Sequence, residues 1–292
     1  MRTTTRLRQL LAGPDMLIAP GAYDGITARL IEQAGYSAAY MTGAGTAASF
    51  GLPDYGLLTM TEMVGNAARM TAAMKLPLIA DGDTGYGNEL NVVRTVQEHE
   101  RAGTAGIHIE DQVSPKRCGH LEGKELISIE DYVAKIRAAV ATRRDPDFVI
   151  IARSDARSVA GFDEAVKRVN AALEAGADIG FVESPQSIEE VRLVPQQVKG
   201  PCLLNAVWRG KTPQVDMRDA QAMGYRLTIL PGMLLKTVYG ACDAALASLK
   251  EHHRHPTPLF DSDVKDGFRR FGADDWDALR TRFRDPAAEA AE

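Results

Sequence analysis

The chain has 292 residues, with 34 Lys+Arg against 39 Asp+Glu and a formal net charge of −5. That balance provides no broad positive field for a phosphate backbone or an anionic lipid surface, so nucleic acid and membrane surfaces are excluded as expected partners. Apolar residues make up 45% and charged residues 25%, a composition that excludes disorder and gives a chain of this length a large core.

The opening stretch MRTTTRLRQLLAGPD predicts a short amphipathic helix without a signal-peptide core, and no run approaches the ~18 apolar residues of a membrane span. The expected location is cytoplasmic. Short apolar runs then recur at 16–20, 37–43, 76–83, 106–111, 148–155, 179–185, 202–207 and 226–231, giving eight predicted strands. Helix-period stretches separate them. In DGITARLIEQAG the face is Ile26, Leu30 and Ile31, and in DEAVKRVNAALEAGAD it is Ala165, Val166, Val169, Ala172 and Leu173. Gly35, Gly103, Gly176 and Gly224 each follow a helical run and precede a strand, as C-terminal helix glycines do. Strand-then-helix units repeated eight times, with no GxGxxG after the first strand, favour a closed (β/α)8 barrel over an open doubly wound sheet. The expected organisation is one barrel domain over 1–292, with 233–292 as a helical C-terminal extension. A helix is expected over 233–250, a break at Pro256 and Pro258, and a further helical region from Asp263. Its apolar residues Phe268, Phe271, Trp276, Leu279 and Phe283 need a partner, and another subunit is one solution. The tail beyond Pro286 is expected to fray.

In a (β/α)8 barrel the chemistry sits at the C-terminal ends of the strands. Here those ends carry Asp81 and Asp83, Glu110 and Asp111, Arg153 and Asp155, Glu183, and Asn205. Side chains two apart on a strand share a face, which pairs Asp81 with Asp83 and His108 with Glu110. Carboxylates converging in one mouth repel unless a cation intervenes, and oxygen ligands without a Cys/His cluster favour Mg²⁺ or Mn²⁺. Taken singly, Asp83, Thr84 and Asp111 are equally good as caps of turns or helices.

Three cysteines, Cys118, Cys202 and Cys242, are odd in number and without paired spacing, which argues against disulfides and a tetrahedral zinc site. Cys118 lies in SPKRCGHLEGK, where Lys116, Arg117 and His120 are expected to lower its pKa for proton transfer or nucleophilic attack. Gly119 and Gly123 allow a mobile loop. Cys202 and Cys242 are expected to be apolar packing residues, and His252, His253 and His255 a solvated turn.

PKRCGH, together with MTGAG, GLPD at 51–54 and DGDTGYG at 81–87, resembles the isocitrate lyase and phosphoenolpyruvate mutase superfamily. The resemblance covers nearly the whole barrel. It implies a barrel whose last helix is exchanged between subunits, usually in a homotetramer, and Mg²⁺ (or Mn²⁺) with a small 2-oxo or 2-hydroxy acid ligand. The KRCGH loop resembles the carbon–carbon lyase branch. Its continuation HLEGKE is more similar to enzymes acting on 2-substituted malates, such as 2,3-dimethylmalate lyase, than to the HRPNK of 2-methylisocitrate lyase.

The resemblance implies Asp81 as a direct metal ligand, with Asp83, Glu110 and Asp54 on metal-bound waters. It implies Thr42, Gly43 and Ala44 on the substrate carboxylate, and Arg153 as a bidentate clamp. Cys118, Gly119 and His120 would cover the second carboxylate, Glu183 and Asn205 complete the pocket, and Ile229 and Pro231 line an apolar wall. After Asn205 the chain departs from the pattern with Ala-Val-Trp-Arg, which puts the roles of Trp208 and Arg209 in doubt. The implied reaction is C2–C3 cleavage of a 2-hydroxydicarboxylate to a 2-oxo acid. Cys118 would protonate C3, with Lys116, His120 and Arg153 facing the developing enolate; no residue is assigned to take the hydroxyl proton. The alternatives are a phosphonate mutase and an oxaloacetate hydrolase or decarboxylase.

Overall fold

A computed structural model describes residues 1–284, so the tail expected to fray lies outside the described residues. Eight strands run β1 Leu17–Ala22, β2 Ala39–Met41, β3 Leu78–Asp81, β4 Gly106–Glu110, β5 Val149–Ser154, β6 Ile179–Val182, β7 Leu203–Asn205 and β8 Leu227–Leu230. Every pair is parallel in the order β6-β5-β4-β3-β2-β1-β8-β7. A parallel bridge from Gly180 on β6 to Cys202, the residue before β7, brings the two sheet edges together. The expected (β/α)8 barrel is the architecture, and each strand falls on a predicted apolar run.

Two packed layers hold it. Inside the barrel, Ala19, Tyr40, Ile79, Ile151, Phe181, Leu203, Leu227 and Ile229 form one buried cluster, while the alternate positions Ile107, Ile109, Ile150 and Ala152 pack outward with the helix residues Val92, Val96, Tyr132 and Ile136. The N-terminal helix Thr3–Ala12 sends Leu7 into the inner cluster, and Arg8 fastens it to Asp178 at 2.8 Å. The four helix-terminating glycines all take left-handed φ, +82° at Gly35, +79° at Gly103, +106° at Gly176 and +106° at Gly224, the conformation that lacks a Cβ penalty only for glycine.

In one helix the buried face differs from the expected one. In Gly25–Gln33, capped by Asp24 through Thr27 N–H at 2.7 Å, the buried residues are Thr27, Ala28 and Ile31. Ile26 is 56% exposed, because the ~100° step per residue turns it away once Thr27 is drawn inward by its bonds to Asp24.

The chain divides into two compact units, residues 1–236 and 237–292. The helix Met233–His252 crosses the boundary, and Val264–Arg269 and Ala273–Arg284 follow. None of these three helices has a buried residue. Phe268 is 65%, Trp276 73% and Phe283 75% exposed. Cys242, expected to be a packing residue, is exposed, whereas Cys202 is buried. His252, His253 and His255 are exposed, as expected of a surface turn. No described helix is long and apolar enough to cross a membrane.

Candidate active site

Strand register builds the site. Asp81 pairs with His108, Glu110 with Arg153, and Arg153 with Phe181 on successive strands, so the polar ends of β3, β4 and β5 meet above the apolar inner cluster. Asp81 is the hub: Oδ2 accepts the Gly43 N–H at 3.1 Å and lies 3.3 Å from the Tyr40 hydroxyl, and Oδ1 accepts the Asp83 N–H at 3.0 Å. Asp83 lies beyond β3 in a turn at φ +47°. Lys116 from the following loop is buried and reaches Asp54 at 2.5 Å and Asp83 at 2.9 Å. The structure thus brings together Asp54, Asp81, Asp83, Glu110 and Lys116.

Their electrostatics call for a cation. Asp81 is fully buried, which by itself would raise its pKa, but His108, Lys116, Arg153 and the Asp83 N–H hold it well below the usual carboxylate range. Burial, opposed by Lys116 and reinforced by Asp81 and Asp54, pushes Asp83 up to about 6. Burial raises Glu110 as well, against the pull of Arg153. Asp83 Oδ1 and Glu110 Oε2 lack hydrogen bonds and lie beside Lys116 Nζ at 2.9 Å and Arg153 Nη1 at 3.2 Å. Asp81, His108 and Glu110 present ligand atoms within 4.8 Å of one another. This donor set fits a divalent cation, whose charge would relieve the carboxyls that burial penalises.

His108 and Tyr40 were not among the residues assigned roles from the sequence. The Tyr40 O–H lies 2.8 Å from His108 Nε2, with the rings stacked at 5.8 Å. Burial lowers His108 to about 4, so its ring is neutral. The signal was present in the alternation of His108 with Glu110, but Tyr40 reads as one more strand aromatic.

The 114–124 loop closes over this cluster. The expected low pKa of Cys118 is corrected: burial, with the Asp54 charge, pushes its thiol up to about 11 against the His120 N–H, Lys116 and Arg153. The cations counted from the sequence are otherwise engaged. Lys116 is held by two carboxylates, Arg117 lies over the Tyr55 ring at 5.8 Å, and burial lowers the His120 pKa. Cys118 is therefore a protonated acid. The Lys211 N–H donates to His120 Nδ1 at 3.0 Å, which fixes the tautomer with its proton on Nε2, 3.4 Å from Glu183 Oε1. Lys124, also buried, bonds the Gly119 carbonyl and stands 3.6 Å from Asp155 Oδ1. At Gly119 a Cβ would stand 2.6 Å from Arg153 Nη2 and 2.6 Å from Glu183 Cγ, so only glycine allows this approach.

Arg153 is bracketed by acids. Its bidentate edge is taken by Asp155 at 2.9 and 3.1 Å, with Glu110 at 3.2 Å and Glu183 at 3.5 Å. Asp155 thus takes one edge of the Arg153 fork, Nε with Nη2, while Nη1 lies beside Glu110. Asp111 accepts Ser154 Oγ at 2.6 Å and the Asp155 N–H at 2.8 Å, stitching β4 to the end of β5. Glu183 accepts Asn205 Nδ2 at 3.0 Å and Ser184 Oγ at 2.8 Å. Asn205 Oδ1 is buried without a partner. Thr42 Oγ1 accepts the Gly45 N–H at 3.3 Å, which leaves its own proton to donate. Ala44 lies in the first turn of the helix Gly43–Ser49, where an N–H has no helical partner. Gly43 donates its N–H to Asp81 Oδ2 at 3.1 Å. Ile229 is in the inner cluster and Pro231 is half-buried beside Gly21. Trp208 is 61% exposed and Arg209 sits at φ +57°. With Asp83, Tyr86 and Ser184 it is one of four non-glycine left-handed residues after β3, β6 and β7, strain of a kind that clusters at functional sites.

Residues 7–250 match the phosphoenolpyruvate phosphomutase family. The chain belongs to this family. It is 51% identical over 232 residues to the 2,3-dimethylmalate lyase of Eubacterium barkeri, covering 79% of this chain and 80% of that one. It is 45% identical over 245 residues to the 2-methylisocitrate lyase of Aeropyrum pernix, covering 84% and 79%. Among solved structures, an oxaloacetate acetylhydrolase in complex with 3,3-difluorooxalacetate superposes with a TM-score of 0.90 at 39% identity, covering 96% of each chain. Both sequence relatives are named lyases, and this member of the isocitrate lyase and phosphoenolpyruvate mutase superfamily is an enzyme of that class.

Proposed function

We propose that the protein is a Mg²⁺-dependent (or Mn²⁺-dependent) carbon–carbon lyase that cleaves a 2-hydroxydicarboxylate of the 2-substituted malate type between C2 and C3. The products are a 2-oxo acid such as pyruvate and a carboxylate. The observation that carries the reading is the protonated Cys118 thiol, pushed up to about 11, in a loop whose Lys116 is salt-bridged to the acidic cluster. That is an acid poised over a cation-demanding floor. Identity to the dimethylmalate lyase supports the malate-type substrate.

Asp81 and Glu110 would hold the ion, with Asp83 and Asp54 on its waters; when bound it supplies Lewis-acid polarisation of the substrate's hydroxyl and carboxylate. The chain's own groups do the rest. Thr42 and the Ala44 N–H bind one carboxylate; the His120 Nε2–H, Asn205 and the Arg153 Nη groups bind the other. Tyr40 takes the hydroxyl proton at Oη as its own proton passes to His108 Nε2, 2.8 Å away. As C2–C3 breaks, Lys116, His120 and Arg153 face the enolate oxygens, and Cys118 delivers its proton to C3 while the closed loop excludes water. Cys118→Ser should nearly abolish turnover and preserve substrate binding by calorimetry; full activity in that variant sinks the assignment.

The exposed Phe268, Trp276 and Phe283 support a helix-swapped dimer, two of which make a homotetramer, because a stripe of this kind is a liability on a monomer.

A further inference from the structure

Gln112 follows Glu110 by two residues, is 1% exposed, and holds two separate parts of the site at once. Its Nε2 donates to Glu110 Oε1 at 3.0 Å and to the Arg117 carbonyl at 2.8 Å. Its Oε1 accepts the Arg117 N–H at 3.0 Å. A primary amide can do this because it carries two donors and an acceptor: one donor serves a carboxylate, and the remaining pair closes reciprocally on a single peptide unit. The stem of the loop is paired independently, by the Gln112–Leu126 bridge, Val113 N–H to Glu125 O at 2.8 Å and Ile127 N–H to Asp111 O at 3.0 Å. The Gln112 side chain therefore adds nothing to the stem. It reaches across the loop to the residue immediately before Cys118.

We propose that Gln112 is a positioning residue that couples the orientation of Glu110 to the closed 114–124 loop, so that seating a divalent cation and placing the Cys118 thiol become one event. The coupling rests on the lyase reading of this site. Rotation of Glu110 away from the ion takes the amide with it and breaks the paired bonds on Arg117; opening of the loop frees the amide and lets Glu110 turn. Partners one layer behind a metal ligand typically change its affinity ~10–100-fold. Here the same side chain also holds the backbone next to the reacting thiol.

The test uses Mn²⁺ alone, with wild type, Gln112→Leu, which keeps the volume without the bonds, and Gln112→Glu, which keeps the acceptor and removes both donors. Free Mn²⁺ is read by electron paramagnetic resonance, and loop closure by the rate of tryptic cleavage after Arg117. In wild type, saturating Mn²⁺ slows that cleavage ~10-fold or more, and both variants bind Mn²⁺ ~10–100-fold more weakly. At their own saturating Mn²⁺ the variants show no protection, an outcome that a merely structural role would not produce. Wild-type protection in a folded Gln112→Leu or Gln112→Glu overturns the proposal. So does an absence of Mn²⁺ protection in wild type, which keeps the test decisive even if both variants fail to fold. No substrate is involved, so Mn²⁺-coupled closure without turnover of any 2-hydroxydicarboxylate would sink the lyase reading alone, and turnover without coupling would sink only this inference.

Discussion

Gly119→Ala probes loop closure at its tightest point. A Cβ there would stand 2.6 Å from Arg153 Nη2, 2.6 Å from Glu183 Cγ and 2.8 Å from Glu183 Cδ. Comfortable heavy-atom contact needs ~3.5–4.0 Å, so something has to yield by about 1 Å. Arg153 is fixed by Asp155 and Glu183 by Asn205 and Ser184, which leaves the loop as the softer partner. Overpacking strain of about 1–3 kcal/mol is relieved by loop retreat, which carries Lys116, Cys118 and His120 with it. A misplacement of about 1 Å costs ~10²-fold in rate. The expected result is therefore kcat down ~100-fold, Mn²⁺ affinity weakened along with loop closure, and the melting temperature nearly unchanged, because no core contact is touched. A lactate dehydrogenase-coupled assay for pyruvate, run beside a Mn²⁺ titration and a thermal melt, checks all three. A kcat within about threefold of wild type refutes the closure argument.

Alkylation of Cys118 by iodoacetamide, followed by mass spectrometry, should be slow near neutral pH and rise steeply toward the value of about 11 set by burial; fast alkylation at neutral pH contradicts a protonated Cys118. Asp83, raised to about 6, makes metal affinity pH-dependent with a definite sign. Its folded pKa lies above the unfolded one, so its contribution to metal-free stability is present at low pH and lost as pH rises through about 6. The proton competes with the cation over the same window, and the apparent Mn²⁺ affinity should fall as pH drops below about 6 and level off above it. Replacing Phe268 and Trp276 together by Glu should move the protein in light scattering from a tetramer toward the 31.6 kDa chain; an unchanged mass contradicts the helix-swapped assembly.

The barrel was legible because strands flanked by amphipathic helices and glycine stops leave periodic traces, and Gly35, Gly103, Gly176 and Gly224 all took the conformation their positions required. The acidic residues at the strand ends were legible for the same reason: in a parallel barrel a strand's end is also its address. What the sequence hid was the partnering of charges. Lys116, Arg117 and His120 look like a positive collar around Cys118, but distances to Asp54, Asp83, Tyr55 and Lys211 decide where those groups are spent. Arg153 hid its bond to Asp155 in the same way. Tyr40 was invisible as chemistry because its pairing with His108 spans 68 residues of chain. Gln112 carries no charge to mark it beside Glu110 and Asp111, and its role is visible only in its bonds to Glu110 and Arg117.

The most direct measurement is end-product detection after incubating the protein with Mg²⁺ and, separately, 2-methylmalate, 2,3-dimethylmalate, 2-methylisocitrate, isocitrate and oxaloacetate. Pyruvate released from a methylated malate, with little or none from the isocitrates, is the predicted result. Turnover of 2-methylisocitrate in preference to the malates would correct the substrate, and consumption of oxaloacetate with no 2-oxo acid from any of the four 2-hydroxy acids would contradict the carbon–carbon lyase reading.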